Sequence, residues 1–149
     1  MDSIKAFFRF GGRIARADFG ILTLVLVAAV AFTVMAHALA LPGSPLIAMV
    51  LMVSGFVAWL SGAVRRLHDR DKSGWYMLAF FGIPTLLQNF KARSTNEGFT
   101  IYFFSGGLGS VYDLICLAVA IWMIVELGFL RGTAGQNRYG TGPTPLLAE

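Results

Sequence analysis

From Phe19 to Val64 the chain carries no formally charged side chain. An α-helix rises 1.5 Å per residue, so about 20 apolar residues cross a hydrocarbon core of ~30 Å. The uncharged stretch divides at Pro42-Gly43-Ser44 into Phe19–Leu41 and Pro45–Val64, each long enough to cross alone. Pro, Gly and Ser together favour a tight turn, so the two runs are expected to form an antiparallel hairpin. Two further runs follow: Gly74–Gln88, a short one that contains Pro84 and either extends through Phe90 to cross or dips in and returns, and Leu108–Leu130, which carries Asp113 and Glu126. The expected fold is all-α, an integral membrane four-helix bundle with both termini cytoplasmic. A single membrane domain, 1–149, would comprise an interfacial segment 1–18, transmembrane helices 19–41, 45–64, 74–90 and 108–130, and a cytoplasmic tail 131–149.

Composition agrees with a membrane class. Hydrophobic residues make up 56% and charged residues 13%, against about 25% charged in soluble domains. The net charge of +4 and the pI near 9.6 would suggest nucleic acid for a soluble protein. Here the basic residues cluster beside apolar runs, as topology and contact with anionic lipid require, so no nucleic-acid partner is expected. Lys5, Arg9, Arg13 and Arg16 precede span one, Arg65, Arg66, Arg70 and Lys72 separate spans two and three, and Arg131 and Arg138 follow span four. Lys91 and Arg93 lie in the opposite loop, 89–107. Basic residues are retained on the cytoplasmic side of short loops, which places the termini there. Ala36-His37-Ala38 mimics a signal-peptidase site, but the acid-containing segment before the run favours a retained span.

Three polar segments gather on the expected cytoplasmic side. Phe7 to Phe19 alternates aromatic and basic residues around Gly11-Gly12, a composition suited to the headgroup region. Arg65 to Tyr76 adds His68, Asp69 and Asp71 to its basic residues, more than retention of a loop requires. Gly128 to Pro143 is glycine-rich and carries Asn137, Arg138 and Tyr139. It lacks the spacing of a phosphate-binding P-loop, and no strand precedes it. The one cysteine, Cys116, lies in an apolar run and reads as filler. No metal set and no cofactor are expected.

Phe10, Gly12, Arg13 and Arg16, then Arg65-Arg66-Leu67-His68-Asp69 before Ser73-Gly74-Trp75, then Gly132-x-x-Gly135-x-Asn137-Arg138-Tyr139-Gly140 form a set. With it the chain resembles the domain-of-unknown-function 805 family, the YhaH-type bacterial inner-membrane proteins, over nearly its whole length. The resemblance implies a multi-pass protein of the bacterial inner membrane and supplies no activity.

The expected function is accordingly a non-enzymatic module that binds an anionic lipid headgroup or an acidic partner segment. Its candidate binding residues are Arg13, Arg16, Arg65, Arg66, His68, Asp69, Asn137, Arg138 and Tyr139. The alternative is a small transporter or channel subunit with a polar path through His37, Asp113 and Glu126. The two carboxylates would sit about 9 to 11 Å either side of the midplane, and structural pairing is favoured: His37 with Asp113, and Glu126 with Arg65, Arg66 or Arg131. A lipid-directed enzyme using His68 and Asp69 as acid and base lacks a nucleophile or metal set, so no catalytic residue is assigned. Small residues such as Ser54, Gly55, Ser61 and Gly62 suit close helix packing, within the chain, in a homo-oligomer or against a membrane-protein partner.

Overall fold

A computed structural model describes residues 8–40, 43–94 and 111–143. Residues 1–7, Pro42 of the expected turn, the outer loop from 95 onward with its aromatic stretch 99–104, the start of span four before Val111, and 144–149 lie outside the described residues. The protein is all-α; the described residues contain helices and one isolated bridge, Asn137 with Gly140. Two compact units form, one from residues 1–72 with 131–149, the other from 73–130.

The first unit is built on α1 (Arg16–Ala38) and α2 (Ser44–Asp69). Asp18 in the first turn of α1 complements the positive end of the helix dipole. Between the helices, Gly43 adopts a left-handed φ of 72°, after which Pro45 pre-sets the first turn of α2. The helices then run antiparallel: Phe19 packs on Trp59 with ring centroids 5.8 Å apart, and Gly55 faces Leu26 and Ala29. At Gly62 the Leu22 side chain fills the space a Cβ would take, since a Cβ there would overlap Leu22 Cδ1. Small residues therefore let the backbones close, as packing in lipid demands.

Polar groups inside the hairpin are satisfied locally. Thr23, Thr33 and Ser54 return their hydroxyls to the carbonyls of Phe19, Ala29 and Val50 at 3.0, 2.8 and 2.7 Å. Thr23 also accepts from Trp59 Nε1 at 3.2 Å. Unmade hydrogen bonds cost several kcal/mol in hydrocarbon, roughly, so this back-bonding leaves an apolar outer face. Leu24, Val34, Leu46 and Val53 are exposed on it.

The helix α2 does not stop where its apolar run stops. It continues through Arg65, Arg66 and His68 to Asp69, so the polar motif expected to join two spans is largely the last turns of a helix. Arg66 and Asp69 are three residues apart and share one face there, and basic residues in the last turn complement the dipole.

In the second unit, α3 (Tyr76–Ser94) and α4 (Val111–Ile124) are antiparallel neighbours. Trp122 meets Tyr76 and Phe80 edge-on at 6.1 and 4.8 Å, while Gln88 at the other end of α3 reaches Asp113. Pro84 lies inside α3 and withholds the N–H that would bond Phe80. Helix α4 ends in a π-helical turn, Val125–Phe129, closed by Leu130 N–H on the Val125 carbonyl at 3.1 Å. The extra residue of that turn accompanies the burial of Glu126 and Leu127. Helices α1, α2 and α4 with its π turn are long and apolar enough to cross a membrane.

Candidate functional site

The polar end of the first unit is organised by Asp69. Its Oδ1 accepts from Arg13 Nε at 2.9 Å and lies 2.9 Å from Arg13 Nη2, and its Oδ2 accepts from Arg66 Nη1. All three side chains are buried, with Arg13 at 2% and Arg66 at 1% exposure. A buried carboxylate between two guanidinium groups is sustained only when its remaining polar neighbours are satisfied. The glycine-rich tail supplies that condition. Arg13 Nη1 donates to the Gly135 carbonyl at 2.5 Å and to Gly140 at 3.3 Å, and Nη2 donates to Thr133 at 2.6 Å.

The same tail caps α2. A helix leaves its last four carbonyls without internal donors. The Asp69 carbonyl receives Thr133 N–H at 2.8 Å and Thr133 Oγ1 at 2.9 Å, and the His68 carbonyl receives Asn137 Nδ2 at 2.9 Å. Asn137 Nδ2 also donates to Thr133 Oγ1, and Asn137 Oδ1 accepts from Tyr139 N–H at 2.9 Å. These contacts account for the residue types of the tail motif. Gly135 and Gly140, with φ of 72° and 145°, turn their carbonyls towards Arg13 in conformations that side-chain-bearing residues rarely adopt. Gly132 is required for space: a Cβ there would overlap the Asp69 carboxylate.

A second layer lies on the first. The His68 ring stacks on Tyr139 at 3.9 Å and 5°, and His68 Nδ1 lies 3.2 Å from the Gly12 carbonyl. Arg138 stands over the other ring system of this layer, 4.9 Å from the Tyr139 centroid, and pairs with Asp71 at 3.1 Å. That pair is exposed, so solvent screens it.

All nine candidate residues therefore belong to one unit, but their roles divide. Arg13, Arg66, Asp69 and Asn137 are buried or half-buried and engaged with protein groups. Arg65 is buried beside a cavity, and Arg16 is exposed at the start of α1. Arg16 lines a cavity of about 290 Å³ with Arg13, Arg66, Asp69, Arg131 and Thr133. Four arginines and one carboxylate give it a net positive wall. Sequence reasoning named Gly132, Gly135 and Gly140 as motif positions without a role for each, and did not single out Thr133.

The intramembrane candidates lie elsewhere. His37 is exposed in the last turn of α1. Asp113 is 1% exposed in the second unit and accepts from Gln88 Nε2 at 3.1 Å, with Cys116 Sγ 3.6 Å from the same nitrogen. Glu126 is buried in the π turn. Gln88 was missed because an uncharged amide at the end of an apolar run carries no warning. Among the described residues, no group of three or more His, Cys, Asp or Glu is placed to hold a metal ion.

The sequence profile of the protein of unknown function family DUF805 matches residues 7–141. Inner membrane protein YhaI of Escherichia coli K12 is 34% identical over 83 residues, covering 54% of this chain and 69% of that protein, and the O157:H7 form matches equally. No solved structure matches. The span of the family profile, residues 7–141, includes Arg13, the end of α2 and the tail as far as Thr141, the three segments that Asp69 ties together. The chain is a multi-pass protein of the bacterial inner membrane, and it belongs to the DUF805 family of proteins of unknown function.

Proposed function

We propose that the protein is a non-enzymatic membrane module whose cytoplasmic end binds the phosphate of an anionic lipid headgroup. The observation that carries this reading is the cavity beside Arg16: Arg13, Arg16, Arg66 and Arg131 line it, and the one carboxylate among its described lining residues, Asp69, already receives two guanidinium groups. Guanidinium groups match phosphate oxygens in bidentate geometry, and juxtamembrane arginines attract anionic lipid. The cavity opens where α1 begins and α2 ends, at the level of the lipid headgroups if the two helices span. Ten of the twelve basic residues belong to this side under the positive-inside rule.

In this reading α3 also crosses. It lies antiparallel to α4 from Tyr76 to Gln88, so a membrane-spanning α4 carries α3 with it despite Pro84. The test is the lipid that stays with the purified protein. Phosphatidylglycerol should exceed its membrane share in wild type and fall back to that share in Arg16→Gln/Arg131→Gln; unchanged enrichment in the double variant overturns the reading.

A second reading, a small transporter or channel subunit, has the burial of Asp113 and Glu126 in its favour. Ionisable groups in a span are functional by default. Proteoliposome flux abolished by Asp113→Asn would support it, and the Gln88 contact supports a structural role instead.

A further inference from the structure

Arg13 also borders a second cavity, of about 170 Å³. Its charge comes from Arg9, Arg13 and Arg65, and no carboxylate among the described residues lines it. Its remaining walls are mostly glycine. Gly12 and Gly140 have φ of 89° and 145°, conformations that favour glycine, and a Cβ built at either meets no atom within 4 Å. At ~30 Å³ for each water, the volume holds roughly six waters, a size suited to a phosphate group but not to a large headgroup.

The two cavities share Arg13, whose guanidinium is committed to Asp69 and to three tail carbonyls. At 2% exposure it is a wall common to both and not a projecting ridge. Arg9 and Arg65 face the smaller cavity, and Arg16, Arg66 and Arg131 the larger.

We propose that the two cavities take the two phosphates of one lipid, so that the ligand class is a diphosphate phospholipid in which a glycerol bridges two phosphodiesters. The inference rests on the headgroup reading above and names its ligand. Once the first phosphate is seated, the second binds as an intramolecular group at high effective concentration, an advantage no single-phosphate lipid has.

Native mass spectrometry of the full-length protein, offered cardiolipin, phosphatidylglycerol or phosphatidylethanolamine at equal phosphate, tests this. Wild type should retain cardiolipin at least about tenfold over phosphatidylglycerol, within the gain that linkage of two sites allows. Arg9→Gln, at an exposed position, should lower cardiolipin retention about fivefold, as loss of one interfacial arginine predicts, and leave phosphatidylglycerol unchanged. Arg16→Gln should lower both. Arg65→Lys, which keeps the charge and removes the fork, should also reduce cardiolipin selectively. Equal retention of the two anionic lipids, or a cardiolipin preference that survives Arg9→Gln, overturns the two-phosphate proposal and leaves the headgroup reading standing. Retention of neither above phosphatidylethanolamine overturns both.

Discussion

Arg13 and Asp69 are 56 positions apart and form a buried ion pair at 2.9 Å, with the tail carbonyls of Thr133, Gly135 and Gly140 on the remaining edges of the same guanidinium. One side-chain pair thereby ties the segment before α1 to the end of α2 and to the chain that returns after α4.

Asp69→Asn should be among the most damaging single changes at this end. It removes the charge between two buried guanidinium groups, and breaking a buried ion pair from one side costs about 3–5 kcal/mol. Thermal unfolding in detergent should show a large loss of stability. Arg13→Ala should cost less when Asp69 is already Asn than in wild type, the coupling expected of contacting residues.

Gly132→Ala should displace the tail, because its methyl group and the Asp69 carboxylate cannot occupy the same space. Gly142→Ala is the control, since a Cβ there meets no atom within 4 Å. Limited proteolysis should release the tail faster in the first variant and at the wild-type rate in the second.

The hairpin of α1 and α2 was legible because hydropathy alone dictates helices of that length in lipid, and Pro42-Gly43-Ser44 marks where the chain turns. The gathering of the three polar motifs was legible too, through charge asymmetry. Their division of labour was not. Arg13 and Arg16 look alike in sequence, yet one donates to carbonyls whose direction depends on left-handed glycines far along the chain, and the other lines a cavity. Arg65 to Asp69 read as part of a connection because its residues are polar, but the pairing of Arg66 with Asp69 and the tail caps keep it helical. The π turn at Glu126 arises from one extra residue in a helical turn, which leaves no compositional trace.

In the second unit, Gln88→Leu should destabilise the protein by about 1–3 kcal/mol, the cost of removing a donor from a buried acceptor. Asp113→Asn retains an acceptor oxygen for Gln88 and should cost less by the same unfolding measurement.

Lys72→Cys probes orientation on a low background, because the native thiol Cys116 is buried. A membrane-impermeant maleimide should label it in inverted inner-membrane vesicles and leave it unlabelled in spheroplasts. Labelling in spheroplasts would reverse the assigned topology and move the arginine cavities to the opposite leaflet.

Contact between the arginines of the polar end and a lipid phosphate is read by magic-angle-spinning NMR of ¹³Cζ-arginine protein in bilayers. The measurement is the dephasing of the guanidinium carbons by lipid phosphorus. Strong dephasing is expected in wild type and is largely lost in Arg16→Gln/Arg131→Gln, a variant that spares the buried Arg13–Asp69–Arg66 cluster. Dephasing of equal strength in wild type and variant would contradict that contact.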